Sequence, residues 1–125
     1  MGFDLTGINA KNKKGEYFRN NCWYWRPLWD FATNVTMDLK NPQKLEHKGF
    51  TNDGYKVNKT EHKALVKGLK WAIETHELGQ KADVVERTAL KDCLRGVGEK
   101  NYPFEWGNVK EFLEFLENNE GFEIW

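Results

Sequence analysis

Apolar and polar residues alternate at both ends of this chain. Phe3 and Leu5 near the start occupy every second position, as do Phe122 and Ile124 near the end. This period of two is typical of short strands that bury one face. We therefore expect a strand at each end, and we expect the closing strand to pair with the opening strand or with an extended segment at 50–57.

Through the middle of the chain, apolar residues recur three or four positions apart, which is the spacing of amphipathic helices. The inner side of the second such segment includes His76, and that of the third includes Val85. Residues 40–60 lack this spacing and are predicted to form a loop. The pattern predicts four helices, over about residues 27–38, 61–78, 82–95 and 109–118.

Local signals mark several helix ends. Pro27 suits the first turn of a helix and favours extended backbone in the residue before it. Thr60 is a suitable N-cap for the second helix, and Gly79 is a suitable end. Asn108 and Glu111 form a variant of the capping box and predict the start of the last helix.

Residues 22–26 are open to two interpretations. If they are extended, Trp23 and Trp25 lie on one side and Tyr24 and Arg26 on the other. If they continue the helix towards the N-terminus, this alternation disappears. The extended interpretation is the one that we carry forward.

A tight turn is predicted at Asn52, Asp53 and Gly54. These residue types favour a turn that requires positive φ, and they lie between the apolar residues Phe50 and Tyr55. The segment is therefore a candidate hairpin. Backbone N–H groups in such a turn can also bind an anion.

Together these elements predict an α+β fold. We expect a mainly helical single domain of residues 1–125, with three to four helices and a small minor β-sheet or hairpin. A chain of 125 residues is long enough for a single core.

Composition narrows the classes of function. The formal net charge is zero, with 19 basic and 19 acidic residues, which disfavours a double-stranded nucleic-acid binder. No apolar run approaches the length of a membrane span, and the N-terminus does not resemble a signal peptide. The sequence therefore predicts a cytoplasmic protein, and it leaves a homo-oligomer open.

The most unusual stretch is residues 15–31, GEYFRNNCWYWRPLWDF. Seven of its seventeen residues are aromatic, and it contains two of the four arginines, Arg19 and Arg26, in a chain with fifteen lysines. Arginine differs from lysine in stacking on rings and in binding carboxylate or phosphate with two parallel hydrogen bonds. The stretch is consistent either with a core of tryptophans flanked by surface arginines or with a ligand cleft.

In the ligand-cleft hypothesis, the aromatic rings stack on a planar group and the arginines bind phosphate or carboxylate oxygens. The amides and the predicted turn add further polar contacts. The candidate ligand-binding residues are Arg19, Asn21, Trp23, Trp25, Arg26, Asn52 and Asp53.

The sequence offers little for catalysis. It contains no serine, and its two cysteines, Cys22 and Cys93, have no metal-type spacing. Phosphate-binding and dinucleotide-binding motifs are absent. We therefore predict no catalytic residues, no metal site and no cofactor. An enzyme with Asp53 or a histidine as general base remains the least favoured alternative.

Four segments carry a resemblance: MGFDLTG, GEYFRNNCWYWRPLW, the NDG turn and the closing EGFEIW. Together they resemble a family of small uncharacterised bacterial and phage proteins. The resemblance covers about a third of the chain and implies no activity. The phage association implies an anti-defence role, either sequestering a nucleotide signal or blocking a host protein.

The leading hypothesis is a non-enzymatic protein that binds a small anionic, nucleotide-like ligand. The alternative is a protein–protein inhibitor of a host defence effector. That inhibitor would use the aromatic patch or the acidic last helix as its interface. In either case a phage-encoded protein would act in the host cytoplasm.

Overall fold

The computed structural model describes residues 2–36, 39–98 and 103–125. Within these ranges, six helices, one 3-10 turn and four strands follow one another along the chain. In order, they are β1 (Gly2–Gly7), α1 (Lys13–Glu16), β2 (Tyr17–Asn21), α2 (Cys22–Asn34), α3 (Pro42–Lys48), β3 (Tyr55–Val57), α4 (Lys59–Leu78), the 3-10 turn Gly79–Lys81, α5 (Val84–Leu94), α6 (Trp106–Glu117) and β4 (Phe122–Ile124).

The four strands form one antiparallel sheet in the order β2-β1-β4-β3. The closing strand lies between β1 and β3, so both of the pairings expected for it are confirmed. Gly54 has the positive φ that the turn requires, at 87°. The prediction of a hairpin around this turn is wrong, however, because β3 pairs with β4 and residues 42–48 before the turn are helical.

One face of the sheet packs against helices. Helices α2 and α6 contact the strands, and α4 and α5 pack on α2 or α6. Because side chains alternate between the two faces of a strand, every second residue of the sheet enters this core. The buried strand residues are Phe3, Leu5, Phe18, Val57, Phe122 and Ile124. The α+β class is therefore confirmed, although the described residues contain six helices rather than three or four.

Helix α2 begins five residues earlier than predicted. Asn21 caps it, because its side chain accepts a hydrogen bond from the N–H of Tyr24 at 3.1 Å. The extended interpretation of residues 22–26 is therefore wrong, and Pro27 lies inside the helix rather than in its first turn. Helical geometry turns Trp23 and Trp25 in different directions. Trp23 is 49% exposed, and Trp25 is completely buried.

Two other helices also begin at residues different from those predicted. Asn58, rather than Thr60, caps α4 and forms a complete capping box with Glu61. Helix α6 begins at Trp106, three residues before its predicted start, and Asn108 does not cap it. The Asn108 side chain instead exchanges two hydrogen bonds with Asn20 of β2, at 2.7 and 3.1 Å.

The helical segments bury fewer residues than their spacing suggested. Leu65 and Leu69 of α4 are buried as expected, but His76 is exposed and lies flat against Trp106, with ring centroids 4.0 Å apart. Val85 of α5 is also exposed, and Leu90 is the residue by which that helix enters the core. None of the helices in the described ranges is long and apolar enough to cross a bilayer.

A partly buried ion pair joins three elements on one side of the core. Lys48 of α3 lies 2.7 Å from the carboxylate of Glu61 and also donates to the carbonyl of Lys56 in β3. The same carboxylate accepts from the backbone N–H of Asn58. Because each charge has hydrogen-bonding partners, the pair links α3, β3 and α4 without leaving a buried charge unsatisfied.

We expect Trp25→Phe and Trp23→Phe to differ strongly in stability. Trp25 donates its indole N–H to the carbonyl of Gly49 at 2.9 Å within the core. Its replacement by Phe leaves that carbonyl unpaired and a void beside it, at a cost of about 2–4 kcal/mol in the free energy of unfolding. Urea denaturation measures this loss as a lower midpoint with an unchanged slope.

The matched control is Trp23→Phe, which makes the same chemical change on a half-exposed ring two residues away. It should lower the free energy of unfolding by clearly less than Trp25→Phe does, because solvent reaches about half of this ring and no core void forms. Equal losses in the two variants would contradict the helical arrangement of residues 22–26.

Candidate functional site

The second face of the sheet carries polar and aromatic side chains that the core does not bury. Cross-strand register brings Asp4 opposite Arg19 and Thr6 opposite Tyr17. Because these residues alternate with the buried ones, they point away from the helices. We call this surface the open face. Its members are Asp4, Thr6, Tyr17, Arg19, Lys56, Glu123 and Trp125.

Asp4 lies at the centre of a small polar cluster on the open face. Its carboxylate accepts from the guanidinium of Arg19 at 2.8 Å and from the hydroxyl of Tyr17. The hydrogen bond from Tyr17 is the largest cause, and Arg19 a further one, of the lowered pKa of Asp4. The ion pair with Asp4 orients Arg19. It uses one of the two terminal nitrogens of the guanidinium.

Trp125 lies on the same face beside this cluster. Its backbone N–H and carbonyl exchange hydrogen bonds with Asp4, at 2.7 and 2.8 Å, and its indole N–H donates to the hydroxyl of Thr6 at 3.3 Å. The six-membered part of the ring covers Gly54, where an added Cβ would approach to 2.7 Å. The indole is 49% exposed and Tyr17 is 51% exposed, so two oriented aromatic rings face solvent on the open face.

Three of the predicted ligand-binding residues meet at the beginning of β1. The side-chain amide of Asn52 reaches the carbonyl of Gly2 at 3.5 Å, and Gly2 pairs with Asn21 in the sheet. The guanidinium of Arg19 lies over the same glycine, where an added Cβ would approach to 2.7 Å. The side-chain oxygen of Asn21 caps α2. Asp53 is exposed in the turn between Asn52 and Gly54.

The tryptophan part of the predicted site needs correction. Trp25 is fully enclosed, stacks against Phe3 and Trp29 at 5.5 and 5.2 Å, and has no face to offer a ligand. Trp23 and Arg26 are exposed on α2. Arg26 lies near Asp30, whose pKa is raised by burial and by Glu46 although the arginine opposes this shift.

The candidate list drawn from the sequence leaves out Tyr17 and Trp125, the two exposed rings of the open face. Both residues lie in or next to a short strand. In such a strand the apolar positions predict which face is buried, but they do not show which exposed residue would contact a ligand. Counting outward positions from Leu5, Phe18 and Ile124 would have placed them on one face with Arg19.

Two histidines and one cysteine of the described residues make contacts within the fold. His62 is buried and its Nε2 lies 2.6 Å from the carbonyl of Leu116, and His47 contacts the rings of Phe50 and Tyr55. Burial raises the pKa of the Cys93 thiol, which makes it a poorer nucleophile. No group of three or more metal-binding side chains occurs among the residues that the structure describes.

Comparison with known proteins found no relative of this chain. No protein-family model, curated protein or solved structure matches the chain. The geometry of the open face supports stacking on a planar group and binding of an anionic oxygen, and these two contacts define the candidate site.

The Asp4 cluster predicts a specific dependence of stability on pH. Because the pKa of Asp4 in the folded protein lies below its ordinary value of 3.8, its contribution is fully present above that value. The contribution is lost as the pH falls through the lowered pKa. Asp4→Asn should therefore reduce the free energy of unfolding at neutral pH, and its deficit relative to the wild type should shrink on acidification. Urea denaturation at a series of pH values measures both effects.

Tyr17→Phe provides the control, because it removes the hydrogen bond that is the largest cause of the lowered pKa and keeps the ring. Its deficit should shrink with acid in the same direction as that of Asp4→Asn. A deficit for Asp4→Asn that stays constant from neutral pH to below the ordinary pKa would contradict the cluster.

Proposed function

We propose that this protein is a non-enzymatic binding protein for a small anionic, nucleotide-like molecule, which it holds on the open face. Tyr17 and Trp125 stack against the planar part of the ligand, and Arg19 binds a phosphate or carboxylate oxygen. Asn52 and Asp53 in the adjacent turn contact its polar groups. The observation that carries the proposal is the exposure of two oriented rings beside the Asp4–Arg19 pair.

The hydrogen bonds of this face support recognition rather than packing. Trp125 is oriented by Thr6 and by the sheet itself, and Tyr17 by Asp4. A ring that is already oriented loses little conformational freedom when a ligand stacks on it. The guanidinium of Arg19 interacts with both Asp4 and the hydroxyl of Tyr17, and the remaining ones of its five N–H groups are those that bind an anion.

The free energies of these contacts indicate how tightly the ligand would bind. Stacking contributes about 1–3 kcal/mol per base, and a hydrogen bond to a charged group contributes about 1.5–3 kcal/mol. Two rings and one arginine therefore contribute about 3.5–9 kcal/mol in total, which corresponds to a dissociation constant between about 0.3 μM and 3 mM. A neutral overall charge gives no long-range attraction, so contact geometry determines which anion binds.

The cellular role that we propose is sequestration of a nucleotide signal used in host defence. The resemblance of the aromatic block to phage proteins supports this role, together with the ligand contacts that we propose for the open face. The protein would then act in the cytoplasm, where such signals are produced.

A protein–protein inhibitor is the competing proposal, with the aromatic patch or the acidic last helix as its interface. In the structure two of the three acids of α6 form ion pairs with lysines of the same chain. Glu114 lies 3.3 Å from Lys14, and Glu117 lies 3.3 Å from Lys70. These contacts lower the charge that the helix offers to a basic partner, so the small-ligand proposal is favoured.

Isothermal titration against nucleoside mono-, di- and triphosphates and cyclic dinucleotides tests the proposal. We expect at least one of these ligands to bind the wild type. Trp125→Ala and Tyr17→Ala should each weaken that ligand by about tenfold, because each removes one stacking surface. Arg19→Gln should weaken it by a similar factor, because the anion loses a charged donor.

Two control variants separate the open face from general effects. Tyr17→Phe keeps the stacking ring and should retain most of the affinity. Phe50→Ala removes another exposed ring, which packs against His47 rather than lying on the open face, and should bind as the wild type does. No heat from any member of the panel with a folded wild type would overturn the ligand proposal.

A further inference from the structure

Glu123 lies on the open face beside Trp125, and the ligand contacts proposed above do not use it. Cross-strand register places it directly between Thr6 of β1 and Lys56 of β3. The Cβ atoms of such directly opposed residues lie about 4.5–5.5 Å apart. Trp125 follows two residues later in the chain, so it lies on the same face of the sheet. Glu123 therefore adjoins the ring on which the planar part of the ligand would stack.

The carboxylate of Glu123 differs from the other carboxylate of the open face. That of Asp4 is engaged, because it accepts hydrogen bonds from Arg19 and from Tyr17. Glu123 is only partly buried, and within the described residues no hydrogen bond or ion pair engages its carboxylate. Lys56, although it lies opposite in register, forms no ion pair with it. The Glu123 carboxylate is therefore an acceptor that the fold itself leaves to a ligand.

The orientation of Trp125 brings the edge of a stacked group towards Glu123. Its indole N–H donates to the hydroxyl of Thr6, which is the residue directly opposite Glu123. The backbone of Trp125 pairs with Asp4, so the ring is directed from the level of Asp4 towards the level of Glu123. A planar group that lies on this ring has Glu123 at its edge, where its hydrogen bonds lie close to its own plane.

The two oxygens of the Glu123 carboxylate restrict which base fits at this edge. An ionised carboxylate accepts hydrogen bonds and donates none, and two neighbouring N–H groups match its two oxygens. Guanine has this arrangement, because its ring N1–H and its amino group are adjacent. Adenine and cytosine place an unprotonated ring nitrogen beside the amino group, and the lone pair of that nitrogen repels a carboxylate oxygen. Uracil has a single N–H between two carbonyl groups.

We propose that Glu123 determines the base specificity of the open face and that the planar part of the ligand is guanine. This inference rests on the proposed function, since it requires the base to stack on Trp125. The carboxylate accepts from the N1–H and the amino group, while Arg19 binds the phosphate. Arg19 is on β2, two strands away from β4, and this separation of about 10 Å is one that a nucleoside monophosphate can span.

Isothermal titration of the wild type and of Glu123→Gln with GMP, IMP and AMP tests the role of Glu123. We expect the wild type to bind GMP about tenfold more tightly than AMP, because only guanine gives both carboxylate oxygens a donor. IMP keeps the N1–H and lacks the amino group, so its affinity should lie between the two. Glu123→Gln should weaken GMP by about tenfold and should not weaken AMP, because the amide replaces one acceptor by a donor.

Glu120→Gln is the matched control. It makes the same chemical change three residues earlier, on an acid that pairs with Lys59 instead of lying on the open face. It should leave the affinities for all three nucleotides unchanged, and circular dichroism verifies that both variants fold.

Two kinds of result would contradict the inference, and they differ in what they leave standing. An affinity for GMP no higher than that for AMP, or a preference for GMP that Glu123→Gln keeps, would overturn the role of Glu123 alone. The open face would then still bind nucleotides, without distinguishing guanine. Binding of no nucleotide by the folded wild type would overturn this inference and the proposed function together.

Discussion

The structure depends on the burial of two indole rings whose N–H groups are both satisfied. Trp25 donates to the carbonyl of Gly49, and Trp29 donates to the carbonyl of Glu46. Both acceptors belong to the segment around α3, so these two hydrogen bonds attach that segment to α2. The rings continue in a stack from Trp29 through Trp25 to Phe3 of β1. One aromatic column therefore joins β1 to α2, and its two indole hydrogen bonds join α2 to the segment around α3.

This column determines how the aromatic block is divided between core and surface. A helix that begins at Cys22 directs Trp25, Leu28 and Trp29 inwards, because they are spaced three or four apart. The same spacing directs Trp23 and Arg26 outwards. The block is thus a folding element first.

Several other residues of the block also have structural roles. Gly15 lies so close to Asn118 that an added Cβ would approach the carbonyl there to 1.9 Å. Asn20 pairs with Asn108, and Asn21 caps α2. A sequence motif of this kind resembles a binding motif because amides and arginines are common to both. Here most residues of the block have a structural role, while Tyr17 and Arg19 stay exposed on the open face.

Sequence pattern was sufficient for the strands at the two ends and for the main helices, because their burial is regular and follows a simple period. It failed where two signals competed. Pro27 suggested a helix start, but the cap at Asn21 and the burial of Trp25 outweighed the single backbone hydrogen bond that proline removes. It also failed for α3, where only Leu45 is buried and no apolar period could form. For the candidate site, the sequence named Arg19 and Asn52 but could not show that both lie at Gly2, because the folding of the sheet and of the turn brings them together.

An uncovered face is common in antiparallel sheets and is not evidence of binding by itself. What distinguishes this face is that an exposed Trp125 is oriented from three directions. Its backbone pairs with Asp4, its N–H contacts Thr6, and its ring rests on Gly54. Gly54 is suited to this contact in two ways, because its φ of 87° disfavours other residues and its missing Cβ leaves room for the ring. The turn therefore supports the ring in one orientation before any ligand arrives, and such preorganisation reduces the entropy lost on binding.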